Sequence, residues 1–213
     1  KITYELISNK ISPYTKAHVC QYTYTDNFNL KESIINRSKL IDTKKVNFLF
    51  VGNISTRKGI QFILEAWPKF IHCCKLSHEG VQFELNIIGR NHMKIDLNNF
   101  QNVKYHGFKK PLPFFLKSHY FLLASLFEGY PKALAEAKAC GCIPIVSEAG
   151  GASEMKNSDY EVKIENLTGS AILESLMKAN EILPKWSKIL PAEVISRHSY
   201  IACAILTERR HKF

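Results

Sequence analysis

Three short stretches of the 213-residue chain combine residue types that could do chemistry. In the first, Gly52-Asn53-Ile54-Ser55-Thr56-Arg57-Lys58-Gly59, two adjacent cations follow a strand and open a helix. A helix N-terminus presents unpaired N–H groups and the positive end of the macrodipole, so this stretch could hold an anion. It lacks the Gly-x4-Gly-Lys-Ser/Thr order of a Walker loop, and a plain basic helix start accounts for it as well. The second stretch runs from Ser125 to Glu136 and contains Glu128-Gly129-Tyr130-Pro131-Lys132-Ala133-Leu134. Pro131 places a helix start near 131, with Glu128 in the preceding loop and Glu136 in the second turn. At ~1.5 Å per residue, Glu136 is then about 7 to 8 Å along the axis from the helix mouth. That spacing suits an anion held by the N–H groups of 130 to 134 and a sugar hydroxyl pair accepted by Glu136. Glu128 would meet whatever lies on the anion's other side. Each carboxylate also has a simpler reading: Glu136 as a solvent-facing helix acid, Glu128 as a loop acid favoured by the helix dipole. The third stretch, Glu148-Ala149-Gly150-Gly151-Ala152-Ser153-Glu154, is a Gly-Gly turn with Ser153 as a candidate cap. Turn chemistry alone explains it.

The elements that must position these residues follow from the apolar runs. Val46–Val51, Phe83–Ile88, Val103–His106, Tyr120–Ala124 and Ile143–Val146 are short, rich in β-branched and aromatic residues, and stopped by Gly or Ser. Such runs read as buried parallel strands. Between them, Ser55 or Thr56 can cap a helix carrying Ile60, Ile63, Leu64, Trp67 and Ile71, with a kink or early end expected near Trp67 because Pro68 follows. The helix opened by Pro131 carries Ala133, Ala135, Ala137 and Ala139 and stops at Cys140-Gly141. Residues 169–183 and 200–210 are two further amphipathic candidates. Strand–helix alternation predicts right-handed crossovers and an α/β fold with a doubly wound, mostly parallel, Rossmann-like sheet. Eight of the ten glycines fall at or near the predicted junctions, where the ligand crevice of such a sheet lies.

Composition narrows the classes. With 46% hydrophobic and 23% charged residues, a disordered or collagen-like chain is excluded. No stretch approaches the ~18 to 20 apolar residues of a membrane span. Six cysteines, two pairs of them nearly adjacent (Cys73-Cys74 and Cys140-Gly141-Cys142), read as reduced thiols of a cytoplasmic protein. The first residue is Lys and no signal peptide follows, so a trimmed or partial chain is expected. The net charge of +10 includes a stretch without acids between Asp96 and Glu128 that holds Lys104, Lys109, Lys110 and Lys117, and a tail Arg209-Arg210-His211-Lys212. These read as solvated basic faces or as peripheral contact with a membrane's inner face. No zinc-finger, helix-turn-helix or RNA-recognition pattern accompanies them, which disfavours nucleic acid.

Taken together, the three stretches resemble the C-terminal, donor-binding domain of retaining GT-B glycosyltransferases of family 4, the glycosyl transferases group 1 type. The family's strand-Gly-x4-Lys-Gly element is similar to Phe48–Gly52 through Lys58-Gly59. Its Glu-x7-Glu motif is similar to Glu128 through Glu136, and its Gly-Gly-x-x-Glu to Gly150 through Glu154. Weaker agreement extends to Thr23–Phe28 and Arg197–Tyr200. The resemblance implies one half of a GT-B fold and a nucleotide diphosphate sugar, UDP- or GDP-linked, as donor, with no metal and no other cofactor. It implies Lys58 and Glu128 as catalytic residues: Lys58, helped by Arg57, neutralises the donor diphosphate, and Glu128 holds hydroxyls of the transferred sugar. Gly52, Asn53, Gly129, Tyr130, Pro131, Lys132, Ala133 and Leu134 would line the donor site, with main-chain N–H groups from Tyr130 to Leu134 on phosphate. Glu136 would take the ribose hydroxyls, and Gly89, Arg90, Lys104 and Tyr105 would border the base. Asn53 stands where many members carry Arg, and Arg57 is the neighbour that could replace that contact.

Residues 1–45 are expected to be a linker or the remnant of a preceding N-terminal domain. Residues 46–213 are expected to form the nucleotide-sugar-binding domain with C-terminal helices. The family's acceptor pocket lies on an amino-terminal domain, so this chain is expected to be the donor half of a longer enzyme that builds surface polysaccharide or glycolipid. A non-catalytic nucleotide-sugar-binding module and a basic membrane or nucleic-acid scaffold are the competing readings.

Overall fold

The computed structural model describes residues 44–77, 80–155 and 161–182. They build a six-stranded sheet from β1 (Lys45–Val51), β2 (Gln82–Ile88), β3 (Val103–Tyr105), β4 (Tyr120–Leu123), β5 (Ile143–Ser147) and β6 (Val162–Ile164). The strand order is β3-β2-β1-β4-β5-β6 and every pairing is parallel. The near-continuous apolar runs are what a sheet covered on both faces demands. Along β1, Phe48 and Phe50 enter one core while Leu49 enters the other, because successive side chains point to opposite faces.

The first core is held by α1 (Ile60–Ser77) and by the helical residues 169–182, here α4. Its centre is aromatic: Phe48 stacks on Tyr120 at 4.6 Å between ring centroids and meets Trp67 and Phe70 edge-on at 5.3 and 5.4 Å. The second core gathers Leu49, Phe121 and Val146 against α2 (Leu112–Phe115) and α3 (Lys132–Ala139). The chain therefore winds to both sides of the sheet, as the strand–helix alternation predicts.

Three local expectations are corrected. The first helix does not end near Trp67: α1 runs through Pro68 to Ser77. Pro68 faces solvent while Phe70, Ile71 and Cys74 beyond it are buried. Burying large apolar side chains at roughly 1.5–3 kcal/mol each outweighs the one hydrogen bond that proline removes. Neither Ser55 nor Thr56 caps α1. Thr56–Lys58 form a separate 3-10 turn, Ser55 makes no capping bond, and Gly59 breaks the path at φ 67° before α1 begins. A sixth strand, β6, also extends the sheet beyond the five that the apolar runs marked. The expected helix at 200–210, the basic tail and residues 1–43 lie outside the described residues, as does residue 183 of the helical candidate at 169–183.

Candidate functional site

Strand order reverses between β1 and β4, and the helices that follow them leave toward opposite faces. At the carboxyl end of that pair an α/β sheet opens its ligand crevice. The first and second stretches flank this point, because one leaves β1 and the other leaves β4.

The two loops are tied along their length. The Leu126 amide donates to the Arg57 carbonyl at 2.8 Å, and Arg57 Nη1 donates to the Phe127 carbonyl at 2.9 Å. Gly59 lies so close to the end of β4 that a Cβ there would sit 1.8 Å from the Ala124 carbonyl oxygen. This contact and its left-handed φ both require glycine. Lys58 then reaches across, with Nζ 2.5 Å from Glu128 Oε1 and the two side chains only 16% and 9% exposed. The third stretch joins the same cluster. The Gly151 amide donates to the Glu128 carbonyl at 3.0 Å, and a Cβ on Gly151 would stand 1.6 Å from the Gly129 carbonyl oxygen. Three sequence stretches thus meet at Glu128, the first at its carboxylate and the third at its backbone carbonyl.

Glu128 itself is buried and heavily bonded. Ser125 Oγ donates to the same Oε1 at 2.6 Å, and Ser147 Oγ donates to the Ser125 carbonyl at 2.7 Å. Arg57 Nη1 lies 3.9 Å from Oε2, an ion-pair distance beyond hydrogen-bond length. Ser125, although it opens the second stretch, and Ser147 carry no assigned role in the sequence reading, because a buried serine after a strand looks like an ordinary strand stop.

At the helix mouth the expected row of N–H donors from 130 to 134 is shorter. Pro131 has no N–H, and the Leu134 amide is spent on the Pro131 carbonyl at 2.9 Å. Lys132 and Ala133 remain as first-turn amides without an intrahelical acceptor, beside Tyr130 in the loop. The Leu134 side chain is buried in the second core rather than in the crevice. Glu136 projects from α3 with its side chain 18% exposed and Lys132 Nζ at 3.9 Å. Burial pushes its carboxyl above the ordinary value, with Lys132 opposing in part. Burial likewise raises the Tyr130 phenol. α3 is anchored at its far end by Lys138, whose Nζ is 2.6 Å from the buried Glu161 carboxylate at the start of β6.

On the other side, the loops after β1 and β2 form a short parallel bridge at Ile54 and Asn91, with the Ile54 amide 2.8 Å from the Arg90 carbonyl. Gly52 and Asn53 line that seam, the Gly52 amide donating to the Ile88 carbonyl at 2.9 Å. The Tyr105 hydroxyl donates to the Gly89 carbonyl at 2.9 Å, and the Arg90 guanidinium lies over the exposed Phe108 ring at 5.0 Å. Phe108 was not a sequence candidate. The Lys104 side chain turns away to Glu84 at 2.7 Å, so only its backbone can serve this side of the crevice. Among the described residues no three His, Cys, Asp or Glu side chains gather as a metal-ligand set.

Comparison with known proteins agrees with this architecture. The family model for glycosyl transferases group 1 matches residues 45–176. A capsular polysaccharide biosynthesis glycosyltransferase, CapH of Staphylococcus aureus, is 27% identical over 164 residues, covering 75% of this chain. The chain spans 39% of that relative's length. The catalytic domain of cholesterol-alpha-glucosyltransferase from Helicobacter pylori superposes with a TM-score of 0.57 at 16% identity, covering 73% of this chain and 98% of that one. Sucrose-phosphate synthase from Thermosynechococcus elongatus gives 0.59 at 19% identity, covering 86% and 50%. Anabaena HepE in complex with UDP and glucose gives 0.54 at 16% identity, covering 86% and 53%. The chain belongs to the glycosyl transferases group 1 family, and its fold is that of the C-terminal domain of a GT-B glycosyltransferase.

Proposed function

We propose that this chain binds a UDP- or GDP-linked sugar in the crevice between the β1 and β4 loops and serves as the donor half of a retaining glycosyltransferase. The observation that carries the reading is the meeting of Lys58 and Glu128 at 2.5 Å from loops 70 residues apart in sequence. A cation and a carboxylate at the topological switch point match the two ends of such a donor: diphosphate and sugar.

In this reading Lys58, Arg57 and the amides of Tyr130, Lys132 and Ala133 surround the diphosphate. When the glycosidic bond breaks, negative charge grows on the leaving phosphate, and fixed positive groups there favour the transition state over the ground state. The ammonium of Lys58 has three donors, so it can keep Glu128 while reaching phosphate. Glu128 accepts hydroxyls of the transferred sugar and Glu136 those of the ribose. Gly89, Arg90 and the backbone at Lys104 and Tyr105 border the base. A UDP donor draws support from the Anabaena neighbour's UDP and glucose, and a role in surface polysaccharide from the capsular function of CapH. Acceptor recognition is assigned to an amino-terminal domain outside these 213 residues. Contact with the inner face of a membrane through the exposed Lys109, Lys110 and Lys117 belongs to the same reading.

The test is a thermal-shift panel of UDP, GDP, UDP-glucose and GDP-mannose, since a ligand that binds only the folded state raises the melting point. At least one nucleotide is expected to shift the wild-type chain, and Lys58→Ala to lose that shift. A shift that survives Lys58→Ala undiminished would overturn the reading.

A further inference from the structure

The two oxygens of the Glu128 carboxylate are not equivalent. Oε1 accepts from Lys58 Nζ at 2.5 Å and from Ser125 Oγ at 2.6 Å, which occupies both of its lone pairs. Oε2 has Arg57 Nη1 at 3.9 Å, and that nitrogen already donates to the Phe127 carbonyl at 2.9 Å. One oxygen is therefore held by the chain and the other is left for an outside donor. The serine that does the holding is itself fixed. Ser125 is buried, and its carbonyl accepts from Ser147 Oγ at 2.7 Å, while Ser147 Oγ also reaches the Leu123 carbonyl at 3.2 Å. This short relay runs from β5 through the end of β4 to the carboxylate.

We propose that Ser125 is a positioning residue that pins Glu128 Oε1 beside Lys58, so that Oε2 alone is presented to a hydroxyl of the transferred sugar. This rests on the donor reading above. Lys58 by itself would leave the carboxylate free to rotate about its last bond and offer either oxygen. The second, directional bond from Ser125 removes that freedom before the ligand arrives, which is the general route by which preorganisation raises affinity. A carboxylate oxygen only accepts, so the subsite selects a hydroxyl at the sugar position it faces and discriminates against a substituent without a proton to give. Ser125 acts on the sugar half of the donor and not on the nucleotide.

The experiment compares wild type, Ser125→Ala, Ser125→Cys and Ser125→Thr by thermal shift and calorimetric titration. The probes are UDP against UDP-glucose, with GDP against GDP-mannose in parallel. Each variant is referred to its own ligand-free melting point. Nucleoside diphosphate binding is expected to be unchanged in all four proteins. The extra affinity contributed by the sugar is expected to fall roughly tenfold in Ser125→Ala, the scale of one hydrogen bond to a charged group. Ser125→Thr, which keeps the hydroxyl, should recover it. Ser125→Cys, close in size but a weak donor, carries the same expectation as alanine should the alanine variant not fold. Full retention of the sugar increment in the alanine or cysteine variant overturns the assignment. So does an equal loss for nucleotide and nucleotide sugar, which is the signature of a purely structural serine. If neither nucleotide pair binds the wild type, the donor reading falls and takes this assignment with it.

Discussion

At the scale of single residues, the Lys58–Glu128 pair carries the clearest energetic consequence. Both side chains are nearly buried, so removing Lys58 leaves the Glu128 carboxylate with only the exposed Arg57, 3.9 Å away, as a cationic neighbour. Lys58→Ala is expected to cost about 3 kcal/mol of stability in urea unfolding, and the Lys58→Ala/Glu128→Ala double variant less than the sum of the single changes. Glu136 gives a pH signature. Burial raises its carboxyl in the folded chain above 4.5, its ordinary value, so the protonated form favours folding. The stabilising contribution is complete below 4.5 and disappears as pH rises through the elevated value. Glu136→Gln should therefore be more stable than wild type at pH 7, with the advantage fading toward acid, measured by Tm across pH. The residues Lys58, Glu128 and Glu136 were legible as types at a spacing. Their meeting was not, since an ion pair across 70 residues is a property of the fold. Ser125 and Ser147 were legible only as strand stops, because two hydroxyls at strand ends carry no charge and no period.

At the scale of elements, the turns around the crevice explain why glycine stands where it does. Gly59→Ala drives a Cβ into the Ala124 carbonyl and forces a left-handed conformation, at an expected cost of at least about 2 kcal/mol, read from the melting temperature. Gly151→Ala should instead displace the third stretch from Gly129 and weaken nucleotide-sugar affinity in calorimetry. Pro68 offers the opposite case. It is exposed inside α1 and denies the Leu64 carbonyl a partner, so Pro68→Ala is expected to stabilise the chain by about 2 kcal/mol in urea. The helix was legible from its apolar stripe, but its length was not, since the burial of Phe70 and Cys74 outweighs a local breaker. Five strands were legible as short apolar or aromatic runs stopped by Gly or Ser, and this pattern marks even β3, whose Lys104 and Tyr105 are exposed. β6 was not, for it has three residues with a lysine at its centre, between Glu161 and Glu165.

For the molecule as a whole, the two cores are unequal in reach. α1 and α4 cover one face, whereas on the other face the β1–β2–β3 side carries a polar strip in which Glu84 binds Lys45 at 3.0 Å and Lys104 at 2.7 Å. Burial pushes the Glu84 carboxyl up, but the two lysines outweigh it and hold it below 4.5. That stabilisation is present above 4.5 and lost as pH falls through the lowered value, so Glu84→Gln should destabilise at pH 7 and lose its effect in acid. Among the described residues no helix is long and apolar enough to cross a membrane. The overall winding was legible from strand–helix rhythm, while the polar strip was not, because Glu84, Asn86 and Lys104 interrupt runs that otherwise look uniformly apolar. The backbone bond between Leu126 and Arg57 has a kinetic corollary. With its two lips stitched, the cleft resists gaping, so a visitor is expected to enter from the rim into a shape already cast. Solvent deuterium should then reach the Leu126 amide slowly in the empty protein, and hardly more slowly once a guest is seated.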